Sequence, residues 1–322
     1  MDDLLHYSDV KSECQNQTTH LLLGNGFSID CGGQSFSYEH LASELVFDED
    51  DLISSVYSAI GGKNFEMVMR QLDYFMKLQT SLDLKPEVVK KIKKSTNKVR
   101  SEFVKSITIA HPEKRKDVDF ELSKEWAMQI KSVLDNGGKV FTLNYDLMLY
   151  WICGMHGCSQ YGDGFGRENS LLMWGPTKEI QSIFFMHGAL HLFDNGSYVE
   201  KETSDGSGQL FENVATRIQG GEYPLVVSGG TKEAKMSQIS ENEYLKYCYE
   251  SFSCLQGVLV CYGCSFSSMD GHIIDAINNA VKLNGIERIY LSVFDANDLL
   301  SKKALKSKFN CKVELFKSSS MY

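Results

Sequence analysis

With 322 residues, 43% of them hydrophobic, the chain has material for a large buried core, as one α/β domain with insertions or as two unequal domains, and disorder is excluded. A formal net charge of −9 argues against nonspecific nucleic-acid binding, because no overall positive field would gather phosphate backbone. The opening Met1-Asp2-Asp3-Leu4-Leu5-His6 has neither the basic nor the apolar region of a signal peptide, and no apolar stretch is long enough to span a bilayer. The expectation is a cytoplasmic protein.

In chain order, His20-Leu21-Leu22-Leu23 predicts an apolar strand that runs into Gly24-Asn25-Gly26-Phe27-Ser28. Glycines let backbone approach a ligand closely, and N–H groups at a helix N-terminus favour phosphate, so the turn fits a pyrophosphate site; an ordinary strand-to-helix turn fits it too. Apolar residues at helical spacing then predict helices over Tyr38 to Phe47, Phe65 to Leu78, Val88 to Ile109 and Phe120 to Leu134. Together they make a long helical insertion, residues 36–136, after the first strand. Asn136-Gly137-Gly138 stops the last helix, and Lys139 to Leu143 predicts a short buried strand.

Further strands are predicted at Ser182 to Met186, Pro224 to Val227, Gly257 to Tyr262, Arg288 to Phe294 and Cys311 to Phe316. Helices are predicted at Glu241 to Cys254, His272 to Leu283 and Asp298 to Lys308. This alternation predicts an α/β fold, Rossmann-like and doubly wound, with a mostly parallel sheet covered on both faces. The whole chain, 1–322, is taken as one domain, with a hairpin or loop insertion at 189–220 that includes the polar, turn-rich stretch Asp194 to Gly208.

Nine cysteines scattered through core-like segments predict buried reduced thiols. The close pairs Cys153/Cys158 and Cys261/Cys264 have no partner pair, so no zinc site is expected. His187 and His191 are spaced as helix-borne metal ligands would be, but their flanks alternate like a strand and hairpin and no acidic third ligand is near, so no metal is expected there either.

In open α/β sheets the functional crevice lies beyond the C-terminal strand ends. Polar or glycine-rich ends occur at Gly24 to Ser28, at Thr142-Leu143-Asn144-Tyr145-Asp146, at His187-Gly188, at Ser228 to Lys232 and at Gly263-Cys264-Ser265-Phe266-Ser267. In order and placement this set resembles the sirtuin pattern. It is most similar to the sirtuin-like NADase domains of bacterial antiphage defence, with further likeness in Asn64-Phe65-Glu66, in Phe185 to Leu192 and in Tyr262 to Phe266 with Asp270. The likeness runs from about residue 20 to about residue 295.

The resemblance implies roles. Asn144 and His187 match the catalytic pair: Asn144 would orient the nicotinamide ribose and the attacking water, and His187 would accept a proton or hold a ribose hydroxyl. Gly24, Gly26 and Ser28, with Asn25 and Phe27 between them, match the pyrophosphate turn; Gly263 and Ser265 match the loop at the adenosine ribose or phosphate. Asp146 either steadies ribose or an ordered water, or caps the helix beginning near Leu147. Asp295 either reaches a ribose diol or the adenine edge, or is an exposed loop acid, and Lys232 and Lys235 either meet phosphate or are solvated. Two departures stand out. No cysteine lies between Gly188 and Tyr247, so the zinc module of deacylating sirtuins is missing, and Asn25 stands where many sirtuins have alanine.

The implied function is an NAD+ glycohydrolase that depletes NAD in abortive infection, with NAD+ as substrate and no separate cofactor. The alternative is a catalytically silent module that senses NAD or ADP-ribose. Unrestrained NAD loss would kill the host, so control by homo-oligomerisation or by a separate activating protein is expected. By analogy with Kongming-type systems that protein would be nucleotide-processing, and the helical insertion is either its docking surface or a lid.

Overall fold

The computed structural model describes residues 4–37, 40–41, 54, 65–79, 83–112, 114–168, 170–175, 180–203 and 210–322. The strands are, in chain order, β1 (Thr19–Leu23), β2 (Val140–Thr142), β3 (Phe165–Glu168), β4 (Leu171–Trp174), β5 (Ile183–Phe185) and β6 (Gly188–Asp194). They continue with β7 (Val199–Lys201), β8 (Pro224–Val226), β9 (Gly257–Tyr262), β10 (Ile286–Val293) and β11 (Lys312–Lys317). The helices begin with α1 (Tyr7–Glu13), α2 (Asn25–Gly32), α3 (Phe65–Leu78), α4 (Pro86–Ala110), α5 (Phe120–Asp135) and α6 (Met148–Met155). They end with α7 (Leu210–Gln219), α8 (Lys232–Glu241), α9 (Glu243–Ser253), α10 (Gly271–Lys282) and α11 (Ala296–Leu305).

Six strands form one sheet in the order β11-β10-β9-β1-β2-β5, and every neighbouring pair in it is parallel. Counted along the chain this is the doubly wound order 3-2-1-4-5-6. The chain leaves β1 toward β2 and β5, then returns to β1's other side and continues outward through β9, β10 and β11. The switch point of the topology is therefore the gap between the ends of β1 and β9. Both strands are near-continuous apolar runs, with Leu21–Leu23 and Val258–Val260 at 0% exposure, as burial on both faces requires.

Helix α5 illustrates how the sheet is covered. Asp119 caps its N-terminus by accepting a 2.9 Å bond from the Leu122 N–H. Its buried face, Trp126, Ile130 and Val133, packs on β1 and β2, and Trp126 meets Phe27 and Tyr262 edge to face. The predicted insertion is thus corrected at its end: α5 is the crossover helix between β1 and β2 and lies on the sheet. Helices α3 and α4 pack against each other ahead of it, and Phe103 of α4 meets Tyr145 edge to face over the loop after β2. Of the helix predicted over Tyr38 to Phe47 only His40 and Leu41 are described, both helical, and the Asn64 position lies outside the described residues.

A second sheet, entirely antiparallel, has the order β3-β4-β7-β6-β8. It corrects two expectations. The strand at Pro224–Val226 pairs with Gly188 and Phe193 of β6, so it belongs here and not to the parallel sheet. This layer also begins at Phe165, in the β2 to β5 crossover, well before the insertion expected at 189–220. Within Asp194 to Gly208, Asp194 ends β6 and Val199–Lys201 form β7, while 204–208 lie outside the described residues. Among the described residues, no helix is long and apolar enough to cross a membrane.

Candidate functional site

The turns after β1 and β9 meet back to back at the switch point. Gly26 N–H donates 3.0 Å to the Gly263 carbonyl, and Gly24 N–H donates 2.8 Å to that of Tyr262. A Cβ on Gly24 would lie 2.6 Å from the Gly263 carbonyl oxygen, and one on Gly263, whose φ is +66°, would lie 2.6 Å from Gly26 Cα. Neither position admits a side chain. These contacts also correct the expected phosphate chemistry. Of the first three N–H groups of α2, those of Gly26 and Phe27 are taken by Gly263 and Gly24, which leaves Asn25's for a ligand. The turn offers close backbone approach more than a fan of free donors.

A cleft of about 230 Å³ opens over this junction. Gly24, Asn25 and Gly26 line one wall, Gly263 and Ser265 another, and Asn144 and His187 a third. Lys235 and Asp270 close it. A neighbouring cavity of about 300 Å³ shares Gly26, Gly263 and Ser265 and continues past Ser292 to Asp298 and Lys302. Together the two fall in the roughly 300–1,000 Å³ range of ligand pockets and straddle the switch point. A cavity of about 490 Å³ lies at the opposite, N-terminal ends of β1 and β9, but its ionisable groups are only Tyr7, Lys11 and Cys14. Asn144, His187, Lys235 and Asp270 all line the switch-point cleft instead.

Asn144 is held from behind. Its Nδ2 donates 2.9 Å to the Gly24 carbonyl and 2.7 Å to Ser28 Oγ, and Ser28 Oγ in turn donates 2.5 Å to Asp146 Oδ2. With both amide hydrogens committed to the β1 turn, Oδ1 is the atom of Asn144 left to the cleft. The backbone N–H of Asn144 bonds Thr142 Oγ1 at 3.1 Å, which fixes the loop. Burial pushes the Asp146 carboxyl up, opposed by the bonds from Ser28 and from the Met148 N–H, 2.9 Å away at the start of α6.

Ser28 and Asp146 therefore sit one layer behind the cleft, which corrects their expected contact with the dinucleotide; of the two readings of Asp146, the structure has the helix-start one. Phe27 is also behind it, fully buried against Trp126. Asn25 turns its amide away, Nδ2 donating 3.0 Å to the Phe36 carbonyl. Asp295 is corrected as well: its Oδ1 caps α11 by accepting from the Asp298 N–H at 2.8 Å, and it is Asp298 that reaches the second cavity.

His187 stands where the chain leaves β5 for β6, and its carbonyl accepts the Val227 N–H at 2.9 Å. Its ring is nearly buried, at 2% exposure, and its Nε2 lies 2.8 Å from Nε2 of His272. Burial, then the neighbouring His272 and Lys235, hold His187 well below the usual histidine range, and burial followed by Lys235 brings His272 down to about 4. Both rings are neutral near pH 7. Lys235, 1% exposed, donates 2.8 Å to Asp270 Oδ1. Burial pushes Asp270 up, but Lys235 together with the neighbouring His187 and His272 outweighs it and the carboxyl falls to about 2. Lys232, by contrast, is half-exposed and pairs with Asp275.

Sequence reasoning did not pick out His272 or the burial of Lys235. A histidine at a helix start and a lysine in a polar helix carry no local signal; their partners are 85 and 35 residues away. His191 is fully buried beside Tyr150 and Phe185, its two ring nitrogens without hydrogen-bond partners. Among the described residues, no three of His, Cys, Asp or Glu converge as metal ligands would.

The family described as Domain of unknown function (DUF4917) matches residues 21–321. The chain belongs to the DUF4917 family. A search of the curated proteins returns no match. The DUF4917 match covers both sheets and begins in β1, immediately ahead of the cleft's first glycine.

Proposed function

We propose that this DUF4917 chain is an NAD+ glycohydrolase, cleaving NAD+ and water to nicotinamide, ADP-ribose and a proton. The observation that carries the reading is the convergence of Asn144 and His187, from the ends of adjacent parallel strands, on one cleft at the switch point of a dinucleotide-type sheet. Nicotinamide is a leaving group already activated by its positive charge, so the protein has mainly to orient reactants and stabilise an oxocarbenium-like centre. Asn144 Oδ1 supplies an acceptor for the attacking water or a ribose hydroxyl, its direction fixed by the two bonds of its Nδ2. The water oxygen bonds the anomeric carbon, the C–N electron pair passes to the pyridine nitrogen, and the water's proton leaves to solvent. The pyrophosphate lies along Gly24 to Gly26 and Gly263, and the adenosine half extends toward Ser265 and Ser292.

By the sirtuin-like resemblance, the physiological role is NAD depletion in antiphage defence, held in check by self-association or an activating partner. The test is to incubate purified wild-type, Asn144→Ala and His187→Ala protein with NAD+, with and without candidate partners, and to quantify nicotinamide and ADP-ribose. Cleavage by wild type and its loss in both variants is expected. Wild-type protein that binds NAD+ and returns it intact under all conditions overturns the hydrolase reading in favour of the silent sensor.

A further inference from the structure

His272 enters no account of the cleft by sequence, yet the structure ties it to the residue on which the hydrolase reading depends. It lies in the first turn of α10, fully buried, its ring meeting that of His187 end to end with 5.0 Å between centroids and 26° between planes. At 2.8 Å the two Nε2 atoms share one hydrogen: one ring carries it and the other accepts it. A hydrogen on Nδ1 of His272 would be an orphaned buried donor, since that atom has no hydrogen-bond partner, so the hydrogen of this neutral ring sits on Nε2. That leaves the shared hydrogen to His272. Nδ1 of His272 is buried with no hydrogen-bond partner, so this ring is placed for its contact with His187 and for nothing on its other side.

We propose that His272 is the positioning residue of His187: by donating its Nε2 hydrogen it holds the His187 ring at one rotation and one tautomer, with the lone pair on Nε2. The charged groups around the pair are Lys235 of α8, Asp270 of the turn before α10, and beyond them Lys232 and Asp275. The ring of Tyr145 lies nearly parallel to that of His187, 6.2 Å between centroids. His272 is thus the only hydrogen-bonding side chain among the described residues that fixes His187 in plane.

The kinetic arm of the test rests on the hydrolase reading; the spectroscopic arm does not. Long-range ¹H–¹⁵N spectra of the full-length protein, with the His187 signals assigned by His187→Gln, are recorded from pH 5 to 9 for wild type, His272→Gln and His272→Phe. In wild type, His187 is expected as a single tautomer with hydrogen on Nδ1. His272→Phe should mix the tautomers, and His272→Gln, whose amide can donate, should restore the wild-type pattern in part. In NAD+ cleavage, His272→Phe should lower kcat at least tenfold with KM within threefold and move the acid limb of the pH profile, with partial recovery in His272→Gln. A wild-type His187 that already averages its tautomers, or His187 signals unchanged in His272→Phe, overturns the proposal, and wild type alone decides it should a variant fail to fold. Wild type that cleaves no NAD+ overturns the hydrolase reading, while the nitrogen signals still decide this one.

Discussion

Replacing Ser28 with alanine tests the support behind Asn144. The hydroxyl accepts from Asn144 Nδ2 at 2.7 Å and donates to Asp146 Oδ2 at 2.5 Å, and both neighbours are buried. Ser28→Ala removes both bonds and leaves no space for bulk water, since Ser28 itself is 0% exposed. A buried carboxylate losing a donor is the larger part, and the two losses together come to about 2–4 kcal/mol. Urea unfolding followed by tryptophan fluorescence measures this. Asn144 keeps its 2.9 Å bond to Gly24, so the amide remains in the cleft but loses its fixed direction, and NAD+ cleavage should fall well before the fold does.

The pH dependence of that penalty has a definite sign. Burial raises the folded Asp146 carboxyl above its ordinary value, so ionising it costs the native state more than the unfolded one; the stability present below the unfolded value is lost as pH rises through the folded one. Removing Ser28 takes away a bond to the ionised form and widens the gap. The destabilisation should therefore be larger at pH 8 than at pH 5. A penalty under about 0.5 kcal/mol at pH 8, or one that grows on acidification, would refute the Asn144-Ser28-Asp146 chain as the element that directs the amide.

Two further outcomes follow from the buried charges. Asp270→Asn takes its carboxylate from a lysine that is 1% exposed, and should cost about 3 kcal/mol in the same unfolding assay; in wild type Asp270 sits at about 2, below the ordinary carboxylate range, so the stability it contributes is present above roughly pH 4 and lost as pH falls toward 2, a limb the variant should lack. His111 accepts the Leu147 N–H at 3.1 Å through Nε2 and donates to the Pro112 carbonyl through Nδ1, and burial brings it down to about 4. Its contribution is complete above the unfolded value of 6.5 and is lost as pH falls toward 4, about 3 kcal/mol at full protonation, and His111→Asn should flatten that part of the stability profile.

The parallel sheet was legible because its strands are short apolar runs bounded by glycine or polar turns; β1 with Gly24 and Gly26, and β9 with Gly263, carry their signal within a few residues. Helix α3 was legible from end to end, since its apolar spacing is undisturbed. The antiparallel layer was not. Its strands β3 and β4 are four residues each, with much of β4 partly exposed, and β8 looks like any buried strand until its partner is known. In the site, Asn144, His187 and the glycines were found from strand ends, where local sequence and topology coincide. Asp295 was misplaced because a helix cap and a ligand-facing acid look alike in sequence, although the acid three residues on, Asp298, is the mark of a cap. The His187 and His272 couple exists only once β5 and α10 are folded together.

Gly230, just before α8, lies directly against the backbone of α3 at Met69 and Arg70, closer than any Cβ would permit. A rigid helix that begins two residues later carries Lys235 to the wall of the cleft. Main chain bears on main chain here, with no side chain between to absorb displacement. The seat of α8, and with it the place of the ammonium group in the cleft wall, is therefore set by the backbone of the outer helical pair.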